Sequence, residues 1–313
     1  MTASVLALER VRRDFPAAGG RALRAVDDVS LSLASGETIG IVGESGCGKS
    51  TLARIILKLL PATSGRLLWA GEDVTALSER MMRPRRRHIQ AVFQDPVSSL
   101  NPRMRVADII AEPLRQLRLS RSTVKEHVQQ TLALVGLPAN SGERFPHAFS
   151  GGQRQRIAIA RALAVEPTIV VFDEATSSLD VSVQAQILNL IAEVQARLSL
   201  SFIFISHNLG AVRHVSGRVA VMYLGRLVEE AEEAALFDEP QHPYTQALLA
   251  AVPEPVLGQR RPAPLPGEVP SALDRPPACH FHPRCPRAQT RCREQDPALR
   301  DIGGRLVRCH FPG

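Results

Sequence analysis

The stretch Gly43-Glu44-Ser45-Gly46-Cys47-Gly48-Lys49-Ser50 decides how the rest of the chain reads. Before it, Thr38-Ile39-Gly40-Ile41-Val42 has the composition of a buried strand; after it, Thr51-Leu52-Ala53-Arg54-Ile55-Ile56-Leu57 reads as a helix. Strand, G-x-x-x-x-G-K-S and helix, in that order, describe a phosphate-binding loop. Glycines let the backbone curl so that successive N–H groups face a polyphosphate. The helix presents its positive N-terminus to the same anion. Gly43, Glu44, Ser45, Gly46, Cys47, Gly48 and Thr51 then belong to the cradle, with Cys47 a small filler rather than a ligand. Lys49 reaches the β- and γ-phosphates, and the Ser50 hydroxyl holds Mg²⁺.

Hydrolysis of a bound nucleotide needs a metal ligand, a group acting on water and a clamp on the γ-phosphate. Thr168-Ile169-Val170-Val171-Phe172 reads as a parallel strand buried on both faces, and it ends in Asp173-Glu174. Asp173 can face Mg²⁺ through water, and Glu174 can act as base on the attacking water. Phe202-Ile203-Phe204-Ile205 is the next such strand; His207, just beyond it, can bond the γ-phosphate and position the water. Gln94 ends the short strand Ile89 to Phe93 and can bond the metal or its water. Further strands are read at 5–13, 26–33 and Gly65 to Trp69. Helical periodicity marks Val106 to about Val135, Gln153 to Ala164 with Ser150 as N-cap, and Val183 to Leu198. Strands alternating with helices predict an α/β fold with a mostly parallel sheet.

The chain has 313 residues, 44% of them apolar and 22% charged, as in a globular protein with a full core. No apolar run approaches the ~20 residues that cross a bilayer. Met1-Thr2-Ala3-Ser4-Val5 lacks a basic region followed by an apolar block, so a cytosolic location is expected unless a partner holds the chain at a membrane. The net charge is +7, but residues 258–313 alone hold ten Arg against five Asp and Glu. The body is near neutral, which argues against a nucleic-acid partner.

At Ser150-Gly151-Gly152-Gln153 the sequence resembles the signature of ABC-type ATPases. With the phosphate loop, Gln94, Asp173-Glu174, Ser178-Leu179-Asp180 and His207, the family's motifs stand in its order over residues 1 to about 235. Phe149 replaces the family's usual Leu, and Phe15 best matches the aromatic residue that stacks on adenine. The resemblance implies a P-loop ATPase core over 1–237, with an antiparallel β subdomain and a helical subdomain at about 96–165. It implies ATP and Mg²⁺ as cofactors. It also implies a head-to-tail pair, in which Ser150, Gly151, Gly152 and Gln153 of one subunit cover the nucleotide of the other and Asp180 lies between them.

Two stretches, Gln94 to Arg103 and His242-Pro243-Tyr244-Thr245-Gln246-Ala247-Leu248-Leu249, resemble the ATP-binding subunits of bacterial dipeptide and oligopeptide importers. That resemblance implies a peripheral subunit on the cytoplasmic face, partnered by a second, identical or related ATPase subunit, two membrane-spanning subunits and an extracytoplasmic solute-binding protein. Nickel and glutathione importers share these markers. A soluble ABC ATPase is the other alternative, though only 55 residues separate Gln94 from Ser150, too few for the long coiled coil of the repair enzymes.

Composition changes near 238, where a proline-rich linker with one short helix, Tyr244 to Ala251, leads into an irregular extension. That extension, 238–313, carries Cys279, Cys285, Cys292 and Cys309, spaced C-x5-C-x6-C-x16-C. Four thiols on a short tail suit an iron–sulfur cluster or Zn²⁺, and the resemblance favours [4Fe–4S].

Overall fold

A computed structural model describes residues 4–95, 99–251 and 267–313. The linker at 252–266 and residues 96–98 of the Gln94–Arg103 stretch lie outside the described residues.

The chain opens with two long strands, β1 (Ser4–Pro16) and β2 (Ala22–Ala34), followed by β3 (Thr38–Val42) and helix α1 (Lys49–Ile56). Then come β4 (Ser64–Trp69), β5 (Glu72–Asp73), α2 (Glu79–Met82) and β6 (Ile89–Phe93). The helical part comprises α3 (Val106–Ala111), α4 (Arg121–Leu134) and α5 (Gly151–Leu163). After it run β7 (Ile169–Asp173), α6 (Val181–Leu198), β8 (Ser201–Ile205), α7 (Leu209–Val215), β9 (Arg218–Tyr223) and β10 (Arg226–Glu232). The C-terminal region adds α8 (Glu233–Asp238), α9 (Pro243–Ala250), α10 (Thr290–Glu294), β11 (Arg300–Ile302) and β12 (Arg305–Val307).

Two sheets result. β2, β1, β4 and β5 form an antiparallel sheet, while the main sheet runs β11-β12-β10-β9-β3-β8-β7-β6. Its centre, from β6 to β9, is parallel. Side-chain alternation along these central strands divides the core in two. Val170, Phe172, Phe202 and Phe204 point to the helical part, where Phe172 and Phe202 meet edge-on at 5.1 Å. Ile169, Val171, Ile203 and Ile205 point to the other face and pack with α1 and the antiparallel sheet. Both faces are therefore covered, which accounts for the uninterrupted apolar reading of β7 and β8.

Three differences from the sequence expectation have physical causes. The first two strands extend to residues 16 and 22, with several register shifts between them, so residues 17–21 are only the tip of a long hairpin. The single helical span expected from 106 to 135 is broken: Pro113 opens a 3₁₀ turn, Arg118 adopts a left-handed conformation, and α4 restarts at a Ser120 cap. The C-terminal extension is less irregular than expected. β12 pairs antiparallel with β10, so a strand from the tail lengthens the main sheet.

Ion pairs fasten the tail as well. Buried Asp27 of β2 accepts from Arg226 at 2.7 Å, from Arg275 at 3.0 Å and from Arg24 at 3.3 Å. Arg226 also grips Asp296, both bonds at 2.7 Å. Burial alone would raise the Asp27 carboxyl, but the three guanidiniums outweigh it and hold the group below the ordinary Asp range.

Candidate active site

β3 ends at Val42 and the chain turns through the glycine-rich loop into α1. Gly48 has φ +106°, and a Cβ there would stand 2.2 Å from the Ala25 carbonyl oxygen of β2. Gly43 is equally confined, since its Cβ would meet the Met222 carbonyl oxygen at 2.2 Å. These close approaches are why no larger residue fits. Lys49 is buried and folds back over the loop, donating from Nζ to the carbonyls of Gly43 at 2.7 Å and Glu44 at 3.0 Å. Cys47 lies buried beneath it; burial, outweighing the nearby Lys49 charge, pushes its thiol up, so it remains a neutral filler.

Register across the sheet brings the remaining groups together. β3 and β7 both flank β8, and Ser50 Oγ donates to Asp173 Oδ1 at 3.0 Å. A hydroxyl and a carboxylate side by side are hard oxygen donors of the kind that suit Mg²⁺. Burial raises the Asp173 carboxyl; the Ser50 hydrogen bond opposes that shift, and the charge of Glu174 adds to it.

Glu174 has φ +52°, a left-handed conformation on a non-glycine residue. Its surroundings over-determine it: its N–H donates to Ile205 O at 2.9 Å, and its carbonyl accepts from Ser177 N at 3.1 Å and from Ser177 Oγ at 2.8 Å. Asp28 and Glu166 share this conformation, so it is the place of Glu174 at the end of β7, beside the cavity, that marks it. Glu174 Oε2 lies 3.6 Å from Nδ1 of His207, which follows the end of β8. Asn208 caps α7 by accepting from Ala211 N–H at 3.0 Å, and this fixes the turn that carries His207.

Lys49, Ser50 and Glu174 border a cavity of about 290 Å³; Asp173 reaches it through Ser50 and His207 through Glu174. Ser45, Gly46, Gly48, Lys49, Ser50, Thr51 and Glu174 line its phosphate end. Phe15 lines it too, with the Arg13 guanidinium 4.6 Å above the ring. Gln94 follows β6, and its carbonyl accepts from Ser178 Oγ at 3.2 Å; its side chain does not line the cavity.

The signature residues stand elsewhere. Ser150, Gly151, Gly152 and Gln153 do not line the cavity. Ser150 caps α5 in a reciprocal box: its Oγ accepts from Gln153 N–H at 3.3 Å, and Gln153 Oε1 accepts from Ser150 N–H at 3.0 Å. A Cβ at Gly152 would meet Val183 Cγ1 at 2.4 Å, so this glycine lets α5 sit against α6. Asp180 caps α6, accepting from Val183 N–H at 2.9 Å; that bond, with one from Ser182, holds its carboxyl below the ordinary range.

In the tail, Cys279, Cys285, Cys292 and Cys309 line one small cavity. Phe311 N–H donates to Cys309 Sγ at 3.4 Å. Burial pushes the Cys279 thiol up to about 11. Among the described residues, no three His, Cys, Asp or Glu side chains are gathered closely enough to hold one metal ion.

The sequence reading missed Leu23, Arg24, Ala25, Leu224 and Gly225, which line the cavity from β2 and the β9–β10 turn; it also missed Ala272, another lining residue, and the contacts of Tyr244 and Arg284 with Glu44. These last three come from the C-terminal region. No local pattern marks them, because each meets the loop from about 200 residues away or more.

Comparisons with known proteins agree with this geometry. Residues 26–177 match the family model described as ABC transporter, and residues 228–292 match the C-terminal region of oligopeptide/dipeptide transporters. The chain is 49% identical to the probable peptide ABC transporter ATP-binding protein y4tS of Sinorhizobium fredii, across 99% of this chain and 90% of that one. It is 46% identical to the oligopeptide transport ATP-binding protein AppF of Bacillus subtilis, across 98% and 97%. Among solved structures, CbiO1 from Clostridium perfringens aligns with a TM-score of 0.69 at 27% identity, across 76% of this chain and 92% of that one. The dimeric ABC transporter cassette MJ0796 aligns with a TM-score of 0.66 at 26% identity, across 73% and 98%. A phosphate loop, an Asp–Glu strand end and a facing histidine on this scaffold make the chain a member of the ABC transporter ATPases, in the branch that carries the oligopeptide/dipeptide transporter C-terminal region.

Proposed function

We propose that the chain is the ATP-hydrolysing subunit of an importer of di- or oligopeptides, seated on the cytoplasmic face of the membrane. One observation carries this reading. Lys49, Ser50 and Glu174 line a single cavity, with Asp173 bonded to Ser50 at 3.0 Å, whereas the serine–glycine corner needed to cover a γ-phosphate does not line it. A second ATPase subunit must supply that corner, so binding and hydrolysis become closing and opening of a pair.

Lys49 Nζ leaves its two carbonyls to meet the β- and γ-phosphates. Ser50 and Asp173 are the residues that would hold Mg²⁺, which supplies charge neutralisation when bound. Glu174 accepts the proton of the attacking water at its carboxylate, and His207 orients that water. Gln94 joins β6 to the helical part, where two membrane-spanning subunits would contact the chain; no helix of the described residues is long and apolar enough to cross a membrane itself. Peptide as cargo is supported by the C-terminal match and by the naming of the relatives. The test is reconstitution in proteoliposomes with the two membrane subunits and the solute-binding protein. ATP turnover should rise, and solute accumulate, with dipeptides or oligopeptides. Stimulation by nickel or glutathione alone would overturn the cargo assignment.

The four tail thiols are proposed to hold a metal centre, with [4Fe–4S] ahead of Zn²⁺. Support comes from the donor set of four thiols around one small cavity and from the Phe311 N–H aimed at Cys309 Sγ; the thiols would have to draw together to reach one centre. Binding must displace the protons of buried thiols. Anaerobically isolated protein should be brown and carry about four iron atoms with equivalent sulfide. Colourless, metal-free protein with four titratable tail thiols would end this proposal.

A further inference from the structure

Glu44, the second residue of the phosphate loop, is held by the C-terminal region at two points. The Tyr244 hydroxyl accepts from the Glu44 N–H at 2.9 Å. Arg284 takes both carboxylate oxygens, Nη1 to Oε2 at 2.7 Å and Nη2 to Oε1 at 3.0 Å. Neither partner is a loose surface group. Tyr244 is buried, its ring 4.7 Å from Tyr223 and 5.4 Å from Phe281. Arg284 is 5% exposed, with its guanidinium 5.9 Å over the Tyr223 ring. The bond to Glu44, with a smaller opposing effect of burial, holds Arg284 firmly in its charged form. On the loop side, the Glu44 carbonyl is one of the two that accept from Lys49 Nζ. A continuous set of contacts thus runs from the tail through Glu44 to the lysine that meets the phosphates.

We propose that Arg284 and Tyr244 are positioning residues for the phosphate loop, so that the C-terminal region sets the affinity for nucleotide. A cradle of backbone N–H groups binds well only when its shape exists before the ligand arrives. This loop has glycines at positive φ at positions 43, 46 and 48, so its free backbone has much to lose on ordering. A bidentate guanidinium–carboxylate pair fixes direction as well as distance. Its burial protects it from salt. Glu44 stands where the loop leaves β3, so holding its side chain and its N–H together sets the loop's first turn. Arg284 directly precedes Cys285, and Phe281 follows Cys279 by two residues, so the thiol-bearing turn and the clamp form one unit. The proposal rests on the nucleotide-binding reading of the loop and adds to it a role for the tail.

The test is titration of the full chain with the non-hydrolysable ATP analogue AMP-PNP, by calorimetry, alongside steady-state ATPase kinetics of the assembled transporter. The dissociation constant should rise about threefold in Tyr244→Phe and about tenfold or more in Arg284→Gln, as expected for loss of a neutral and of a charged hydrogen bond. Arg284→Lys, which keeps the charge but loses the fork, should fall between wild type and Arg284→Gln. KM for ATP should follow the dissociation constant while kcat holds. Arg305→Gln, removing an exposed tail ion pair with Glu239 remote from the loop, should bind as wild type. Wild-type affinity in both clamp variants would overturn the proposal. So would a fall in binding stoichiometry at unchanged affinity, which reports partial unfolding instead of a relaxed loop. A wild-type chain that binds no AMP-PNP would instead refute the nucleotide reading beneath it.

Discussion

Glu174→Gln is expected to lower ATP turnover about 10²–10⁴-fold, the contribution of a positioned general base, while nucleotide still binds. Glutamine has the same shape and adopts the same backbone. The bonds that hold φ at +52° come from Ile205 and Ser177, not from the carboxylate, and they survive the change. What disappears is the basic oxygen 3.6 Å from His207. With Mg²⁺ and ATP present the variant should accumulate as a closed pair, visible as a shift to dimer in size-exclusion chromatography, because the event that opens the pair no longer occurs. The charge beside Asp173 also goes. Burial remains the main cause of the raised Asp173 carboxyl, and only the smaller support from the Glu174 charge is removed. A variant that hydrolyses ATP at the normal rate would show that another group is the base.

Gly48→Ala should nearly abolish nucleotide binding and lower thermal stability. A methyl group at this position would stand 2.2 Å from the Ala25 carbonyl oxygen and 3.3 Å from its carbon, both backbone atoms of a paired strand that cannot swing aside. The left-handed backbone adds about 1–2 kcal/mol for any non-glycine residue, and overpacking adds about 1–3 kcal/mol. If most of this falls on the loop's bound shape, affinity drops by roughly 30- to several-thousand-fold at 1.4 kcal/mol per decade. Gly46→Ala is the matching control. Its φ of +78° carries the same backbone penalty, but nothing lies within 4 Å of the added Cβ. Calorimetric titration of the two should show a much larger loss at 48 than at 46. Equal losses would mean that backbone conformation alone, and not the approach of β2, accounts for the glycine.

The core and the site were legible to different depths. β7 and β8 could be placed within a residue because an apolar run covered on both faces looks the same wherever it occurs. The N-cap at Ser150 acts within three residues of itself, and such a short-range bond leaves a readable spacing; the equivalent cap at Asp180 was missed, with the helix read from Val183. The break in the helical part at Pro113 and Arg118 was not anticipated, because the helical spacing of Val124, Val128, Leu132 and Val135 was extended back to Val106 across it. Least legible was the tail. In the sequence its arginines stand out only as excess positive charge, whereas Arg275, Arg284 and Arg308 are engaged by Asp27, Glu44 and Asp28.

From its residues alone, then, the chain places the groups proposed to act on a nucleotide: the glycine loop, Lys49, Ser50, Asp173, Glu174 and His207 each follow a strand or open a helix whose own pattern places them. Only the tertiary structure decides that the C-terminal region lengthens the main sheet and grips Glu44 through Tyr244 and Arg284. The reason is one of range. Backbone geometry and local hydrogen bonds specify a turn from neighbouring residues, but an ion pair across 240 residues exists only once packing has brought its two halves together.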